Sequence, residues 1–300
     1  MDNHGKAMVL AAFAADALAL GAHWIYDTEL ISKRFGRIEA FLKPGADSYH
    51  STKEKGMFTH YGDQTQVLLE SLAEKRGFDL SDFSTRWRTF FEDYNGYVDQ
   101  ATRGTLSRYA AGSTHEDPGS LSDDLSGASR IAPLVYAYRN DLDTLVGCAK
   151  AQTRMTHSDP LTIDSAEFFA RVAWLALHGT SPAEAMNLVE QEHFSNSPMS
   201  GWVKNGLAST ARDSVQSIAA FGQTCHTPEA FPGAVHLIAR YENDLKEALI
   251  QSVMAGGDNA ARGMVVGMVL GAYLGPSALP RPWLDDLQEK DRILGLLAGL

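Results

Sequence analysis

Apolar residues recur every three or four positions over most of this 300-residue chain. One such stripe runs through residues 80–94 and consists of Leu80, Phe83, Trp87, Phe90, Phe91 and Tyr94. A second stripe runs from Ile163 to Leu177. This spacing places side chains on one face of an α-helix, so both stretches are predicted to be amphipathic helices. No segment shows sustained alternation of apolar and polar residues, so the pattern predicts an all-α protein with strands absent or trivial.

Helix starts and loop signals divide the chain into short elements. Ser181 followed by Pro182 and Glu184 predicts a helix start, as does Thr227 followed by proline. Breaks are predicted at Pro44-Gly45, Ser113 to Ser126, Ser195 to Pro198 and Pro276 to Pro282. The second break is rich in Gly, Ser and Asp, which is typical of a mobile surface loop. No break separates two independently patterned halves, so we predict a single domain over residues 1–300, folded as a compact orthogonal multi-helix bundle.

Residues 258 to 274 are predicted to form an unusual helix. Gly263, Gly267 and Gly271 recur every four residues beside apolar neighbours. Each glycine costs a helix about 1 kcal/mol relative to alanine. Three of them on one face therefore predict that another helix packs against that face with its backbone very close.

Composition and charge restrict the class of partner. The formal charge of −11 argues against binding to nucleic acid, which depends on Lys and Arg neutralising phosphates. Cys148 and Cys225 are too few for a disulfide framework or a zinc–cysteine site, and we expect both to be reduced in the cytoplasm. The polar start lacks the signature of a secretory signal. We expect the run from Gly263 to Leu274 to be the most apolar, and it is shorter than the roughly 20 residues of a membrane helix. We therefore expect no membrane association.

Five short segments place polar residues beside helical stripes and are the candidates for chemistry. They are Ala15 to Gly21, Thr59 to Gln66, Gly127 to Leu134, Thr156 to Pro160 and Gly256 to Ala261. Asp63 and Asp258 stand at predicted helix starts, where an aspartate commonly serves only as an N-cap. Asp16 lies in an otherwise apolar helix, and a buried carboxylate must be paired or ligated. Isolated histidines such as His60 and His157, and Arg130 next to an apolar run, could each be purely structural.

In this order the five segments resemble the ADP-ribosylglycohydrolase family over residues 7 to 295. Asp16-Ala17-Leu18 is similar to the family's Gly-Asp-Ala-Leu-Gly, and Gly62-Asp63-Gln64-Thr65 to its Thr-Asp-Asp-Thr. Arg130, Pro133 and Leu134 match its Met-Arg-x-x-Pro-Leu motif. Its Thr-His-x-Asp-Pro motif is intact at residues 156–160. Residues 256–261 resemble its Gly-Gly-Asp-x-Asp-Thr motif, with two alanines at the end.

The resemblance implies a helical bundle of this family's type and a site for two magnesium ions that bind the ribose of ADP-ribose. The implied ligand positions are Gly62, Asp63, Gln64, Asp258, Ala260 and Ala261. Only two of them keep a carboxylate, and three have no side-chain oxygen. Magnesium requires hard oxygen ligands in an octahedron. We therefore expect Mg²⁺ at one weak site at most, held by Asp63 and Asp258.

The resemblance implies a hydrolase that cleaves a glycosidic bond in a small-molecule ADP-ribose-like or nucleoside-like substrate. The residues proposed for catalysis are Asp63, His60 and Asp16. Substrate binding is assigned to Gln64, Arg130, His157 and Asn259. The alternative hypothesis is a catalytically inactive member that binds a ligand or serves as a stable structural protein, as a jellyfish lens crystallin of this family does.

Overall fold

Helices provide the secondary structure of residues 2–300, the part of the chain that this computed structural model describes. Within this range there is no β-strand, and the β-type pairings are two isolated bridges, Ser120 with His157 and Asp124 with His226. The prediction of an all-α protein is confirmed. Both bridges lie beside the candidate site, where they fasten the loop before residue 126.

The α-helices are α1 (Asp2–Ala19), α2 (Thr28–Phe35), α3 (His60–Lys75), α4 (Leu80–Glu92), α5 (Gln100–Ala110), α6 (Ser126–Ser129), α7 (Ala132–Ala137), α8 (Leu142–Arg154), α9 (Pro160–Leu177), α10 (Pro182–Val189), α11 (Pro198–Ala208), α12 (Ser214–Phe221), α13 (Thr227–Arg240), α14 (Leu245–Met254), α15 (Asn259–Leu274), α16 (Arg281–Asp286) and α17 (Lys290–Leu297). Short 3₁₀ turns cover Leu20–Ala22 and Pro276–Ala278, and a π-helical turn covers Glu190–Phe194.

The core is organised around α1 and α15, which lie against each other along most of their length. Nearly every residue of both helices is buried, and α1 is rich in alanine. Small side chains on both surfaces allow the two backbones to come close. Helices α9, α13 and α14 pack around α15, so the centre of the bundle joins the two ends of the chain.

The glycine stripe of α15 faces α1, as the sequence predicts. A Cβ atom added at Gly267 would lie 2.5 Å from the carbonyl oxygen of Ala11. One added at Gly271 would lie 2.9 Å from the Cα of Met8. At Gly263 the nearest atom would be 3.5 Å away, an ordinary contact. The two later glycines are therefore required by backbone proximity, while the first is not.

Helix α1 corrects one expectation from the sequence. The segment Asp2–Ala22 is long and apolar enough to cross a membrane, contrary to the expectation that no segment would reach this length. However, 94% of the most apolar 18-residue stretch of this segment is buried inside the protein. Its apolar side chains contact other helices rather than solvent, as they do in the core helix of a globular protein.

The predicted helix starts agree closely with the structure. Helix α10 begins at Pro182 with Ser181 as its N-cap residue, as predicted. Helix α13 begins at Thr227 itself, one residue earlier than a threonine cap would place it. The predicted break at Ser195 to Pro198 ends where α11 begins. The predicted stripe at 163–177 lies in α9, and the stripe at 80–94 lies in α4 except for Tyr94, which follows the end of that helix.

Candidate functional site

The start of α15 is the structural centre of the candidate site. Gly256 and Gly257 both have φ near +65°, a left-handed conformation that glycine adopts without strain. A Cβ on Gly257 would lie 2.0 Å from the carbonyl oxygen of Gln223. The carbonyl of Gly257 accepts the Trp24 amide at 3.0 Å, so this turn and the segment after α1 hold each other in place. The glycine pair thus delivers Asp258 to a fixed position.

Asp258 is fully buried and all its hydrogen bonds are to protein groups. Its Oδ1 accepts the Ala261 amide at 3.1 Å, which makes it the N-cap of α15, and also faces His23 Nε2 at 3.1 Å. Its Oδ2 accepts the hydroxyl of Tyr61 at 3.1 Å. Burial opposes ionisation, but the hydrogen bond from His23 and the helix amide together hold the pKa of Asp258 below its usual value. Asp258 is therefore a buried carboxylate with a structural and an electrostatic role.

Three buried histidines lie next to Asp258. His23 follows α1, His50 lies in the loop before α3, and His60 is the first residue of α3. One nitrogen from each ring lies within 4.8 Å of the other two. Burial lowers the pKa of His23 and of His50, so both are neutral at pH 7. His60 Nε2 also lies 3.0 Å from Asp99 Oδ2, at an angle that is poor for a hydrogen bond.

A cavity of about 760 Å³ opens beside this cluster. Its walls include an aromatic group formed by Trp24, Tyr49 and Tyr97, whose ring centroids lie 5.0–5.2 Å apart at steep angles. Trp24 has φ of +64°, a strained conformation for a bulky residue that often marks a functional position. The other lining residues are Tyr26, Asp99, Gln100, Ala101, Gly104, Ser120, Leu121, Ser122, Asp123, Asp124, Cys225 and His226. The volume suits a nucleoside or a somewhat larger ligand.

Two carboxyl groups in this cavity have opposite electrostatic environments. Burial and the nearby charges of Asp258 and Asp99 raise the pKa of Asp124 to about 7. Asp99 is also buried, but His60 and the Thr102 amide outweigh burial and hold its pKa well below the usual value. Asp99 caps α5 and accepts that amide at 2.6 Å, whereas Asp124 accepts the Ser126 amide at 2.8 Å. Of these two carboxyl groups, Asp99 is therefore ionised at neutral pH, whereas Asp124 is partly protonated and exchanges its proton readily.

Asp16 fixes the entry to α3. Its Oδ2 accepts the Thr59 amide at 2.7 Å, and its Oδ1 accepts the Thr59 hydroxyl at 2.6 Å. Thr59 in turn accepts the Tyr61 amide as the N-cap of α3. Burial raises the pKa of Asp16 to about 7. Neither Asp16 nor His60, both predicted for catalysis, is among the residues that line the cavity.

Three of the predicted substrate-binding residues form one buried network. Gln64 accepts the indole N–H of Trp87 at 2.8 Å and a hydrogen bond from Arg130. Arg130 also donates to Thr156, whose hydroxyl lies 2.8 Å from His157 Nδ1. Burial lowers the pKa of His157 to about 3 and that of Arg130 to about 10. The structure brings these residues together below the cavity but does not place them among its lining residues.

Asn259 is also buried, and its amide donates to the carbonyls of Ala22 and Val253 at 3.3 and 3.4 Å. It connects the start of α15 to the segment after α1. The side-chain oxygen of Asn259 has no partner. Like the network around Arg130, it lies outside the lining of the large cavity.

Asp63 contacts different residues from Asp258. Its carboxylate accepts hydrogen bonds from the Lys53 ammonium and from the Tyr94 hydroxyl. It lines a separate cavity of about 340 Å³ together with Glu289 and Arg292. Burial raises its pKa, against the opposing charge of Lys53. The structure gives Asp63 and Asp258 no common partner, so these two predicted metal ligands are not brought into one cluster.

The whole chain matches a known family. The ADP-ribosylglycohydrolase model matches residues 2–300. The chain belongs to the ADP-ribosylglycohydrolase family. The resemblance inferred from the five polar segments is therefore confirmed.

Two relatives and one solved structure match most of this chain. Crystallin J1A of Tripedalia cystophora is 26% identical over 313 residues, covering 97% of this chain and 94% of the crystallin. The ADP-ribosyl-dinitrogen reductase glycohydrolase of Rhodospirillum rubrum is 26% identical over 241 residues, covering 78% of this chain and 75% of that protein. A solved structure of an ADP-ribosylglycohydrolase-related protein complex has a TM-score of 0.76 at 24% identity, covering 99% and 96% of the two chains. The last comparison supports the family fold.

Members of this family typically use divalent metal ions, and this chain has two groups of side chains that could act as ligands. The magnesium positions of the family do not fit here. A side chain at residue 62 would lie 2.5 Å from Asp16 Oδ2, and the Gln64 oxygen already accepts two hydrogen bonds. The Lys53 ammonium already pairs with the Asp63 carboxylate, and Ala260 and Ala261 are buried apolar residues. Too few free oxygens remain for a two-magnesium centre.

Sequence reasoning missed several residues of the candidate site. Asp99 and Asp124 lie in no recognisable motif. The sequence around Asp99 indicates only a helix cap, and Asp124 lies in the segment predicted to be a mobile loop. His23 and Trp24 directly follow the Asp16 motif, and an adjacent histidine and tryptophan at the end of an apolar helix were an available signal. No signal in the sequence identifies His50, because its loop approaches α3 only in the folded chain.

Proposed function

We propose that the large cavity hydrolyses a glycosidic bond in an ADP-ribose-like or nucleoside-like compound. The observation that carries this proposal is the pair Asp99 and Asp124, which line one aromatic cavity of about 760 Å³ in unlike environments. Glycosidic hydrolysis uses two carboxyl groups in different protonation states. Family membership supports the same class of reaction.

In this proposal Asp124 is the general acid. Its proton passes to the departing atom as the glycosidic bond breaks, because burial and neighbouring carboxylates keep it protonated near neutral pH. Asp99 remains ionised, stabilises the positive charge that develops on the sugar, and accepts a proton from the water that adds to the anomeric carbon. Asp258 does not line the cavity, but its negative charge helps to raise the pKa of Asp124.

The aromatic walls supply binding energy for a flat ring. Tyr26, Tyr49 and Leu121 are exposed by 46%, 58% and 84%, an unusual exposure for large apolar groups at a cavity mouth. Stacking on Trp24 or a tyrosine ring would hold a nucleobase without any charged contact. The acidic residues of the cavity, which include Asp123, favour a compound with few phosphates.

The test is a hydrolysis assay on ADP-ribose, ADP-ribosylated arginine and a panel of nucleosides, with products separated by chromatography. Asp124→Asn should lower kcat by about 100-fold or more, because it removes the general acid. Asp117→Asn, in the same loop but outside the cavity, is the matched control and should retain activity. Hydrolysis that is unchanged in both Asp124→Asn and Asp99→Asn would disprove the assignment.

The second candidate function is a catalytically inactive protein that binds a ligand or is itself structural. The loss of side-chain oxygens at Gly62, Ala260 and Ala261 favours it, since the family's metal positions cannot be filled. Similarity to a crystallin is consistent with it. Calorimetric binding of a compound from the panel without turnover would support this alternative over the hydrolase.

We place the protein in the cytoplasm, with a small molecule as its partner and without a nucleic-acid or membrane partner. Both cysteines are free, as expected of a reducing compartment. The net charge of −11 would repel a phosphate backbone. Fractionation of the source cells, followed by immunoblotting of the soluble and membrane fractions, tests this placement.

A further inference from the structure

The three buried histidines have a feature that the proposed hydrolysis does not use. His23, His50 and His60 come from three separate segments, yet one nitrogen from each lies within 4.8 Å of the others. All three rings are buried away from solvent. The Nδ1 atoms of His50 and His60 have no hydrogen-bond partner. Buried imidazole nitrogens without partners are costly, and their convergence requires an explanation.

The hydrogen bonds around His23 define which nitrogens carry lone pairs. Asp258 Oδ1 can only accept, so His23 Nε2 donates to it and His23 Nδ1 is left as an acceptor. His23 Nδ1 lies 2.8 Å from His50 Nε2. The two ring planes are nearly parallel, and since 2.8 Å is shorter than a stacking distance, the rings meet edge to edge. In the absence of any ion, His50 Nε2 therefore donates to His23 Nδ1.

We propose that His23, His50 and His60 bind one transition-metal ion of the zinc type. His23 binds through Nδ1, and His50 binds through Nε2 after its proton moves to the partnerless Nδ1. His60 binds through its own Nδ1, because its Nε2 faces Asp99 at 3.0 Å. No net proton is released. This site borders the proposed hydrolytic cavity at Asp99, but its affinity for metal is measured without any substrate and so is tested separately.

The surroundings have the features of an imidazole metal site. Histidine ligands commonly donate their second ring N–H to a carboxylate, which orients the ring. Asp258 already accepts such a hydrogen bond from His23, and the Asp99 carboxylate lies 3.0 Å from His60 Nε2, close enough to accept one once metal binding reorients the His60 ring. Two nitrogens bound to one tetrahedral zinc ion lie about 3.3 Å apart, given zinc–nitrogen bonds of about 2.0–2.1 Å. His23 and His50 must therefore separate by roughly 0.5 Å.

The choice of ion follows from the ligands. Imidazole nitrogens suit zinc, copper, iron and nickel, whereas magnesium requires carboxylates, carbonyls and water. The cluster has neutral nitrogen ligands, and its two nearby carboxylates already face histidines. The proposed site is thus nitrogen-based and lies beside Asp258, at the start of the helix where the family places oxygen ligands.

The experiment uses the full chain, stripped with a chelator and titrated with Zn²⁺ by calorimetry and with Co²⁺ by visible absorption. We expect one ion per chain and intense d–d bands of low-coordinate cobalt. His50→Gln and His60→Gln should each weaken binding by about 100-fold or more, since even second-shell changes typically cost 10–100-fold. His193→Gln, an exposed histidine, is the matched control for surface binding and should be unchanged.

Two further measurements keep the test decisive. Circular dichroism establishes that each variant is folded before its affinity is interpreted. Cys225→Ser reports on the other ligand-type group, formed by Asp124, Cys225 and Asp258, and should leave binding intact. Absence of a stoichiometric Zn²⁺ site in the wild type would overturn the proposal. Normal affinity in both folded histidine variants, or its loss in Cys225→Ser, would also overturn it.

Discussion

Asp16 shows how one side chain determines local structure from inside an apolar helix. It accepts two hydrogen bonds from Thr59 and so positions the first turn of α3, where His60 and Tyr61 begin. The groups that act on its charge are Asp63, which raises its pKa, and His60, which lowers it. Burial has the largest effect and raises the pKa to about 7.

This pKa predicts that Asp16 makes stability depend on pH. The folded state holds the proton up to about pH 7, whereas an unfolded aspartate releases it near pH 4, so the free energy of unfolding falls as the pH rises through this interval. The loss is at most about 4 kcal/mol, at about 1.36 kcal/mol per unit of pKa. Asp16→Asn should reduce the decrease measured by urea unfolding at pH 5 and pH 8. Equal decreases in wild type and variant would contradict the assignment.

The Lys53–Asp63 pair predicts a second stability effect. Both side chains are largely buried, at 12% and 14% exposure, so Lys53→Met leaves an uncompensated carboxylate and should destabilise by about 3 kcal/mol. Asp63→Asn added to that variant should restore most of the loss. The control is Lys43→Met, whose pair with Glu54 is solvent-exposed and should change stability by less than about 1 kcal/mol. A similar loss in both lysine variants would show that the buried pair has no special role.

The packing of α1 against α15 determines which glycines can be replaced. Gly267→Ala would press a methyl group against the α1 backbone at 2.5 Å, so it should destabilise by about 1–3 kcal/mol. Gly263→Ala meets only ordinary contacts and should be neutral or stabilising by up to about 1 kcal/mol. Thermal unfolding of both variants measures the difference. Equal effects would show that the two helices are not as close as described.

The whole molecule should unfold as one unit. The central α1–α15 pair joins the N-terminal and C-terminal parts of the chain, so neither part keeps a core of its own. We predict a single transition with coincident midpoints by far-ultraviolet circular dichroism and by tryptophan fluorescence. The five tryptophans report from separate places along the chain: Trp24, Trp87, Trp174, Trp202 and Trp283. Two separated transitions would indicate two domains.

Much of the fold could be predicted from the sequence alone, because helix periodicity and capping are local properties. The stripes in α4 and α9, the starts of α10 and α13 and the close contact along the α15 glycines all follow from residues near one another in the chain. The ordered motifs also identified the family, since they preserve residue types at set intervals.

The tertiary structure alone decided which polar residues share the site. Asp99, Asp124, His50 and His23 lie far apart in sequence, and each has an ordinary local interpretation as a cap or loop residue. Only the packing of their loops around α15 brings them together, shifts their pKa values and leaves histidine nitrogens without partners. It also determined the partners of the two predicted metal ligands, because Asp63 binds Lys53 and Tyr94 whereas Asp258 binds His23 and Tyr61. Electrostatic environment depends on distance in space, and no spacing along the chain encodes it.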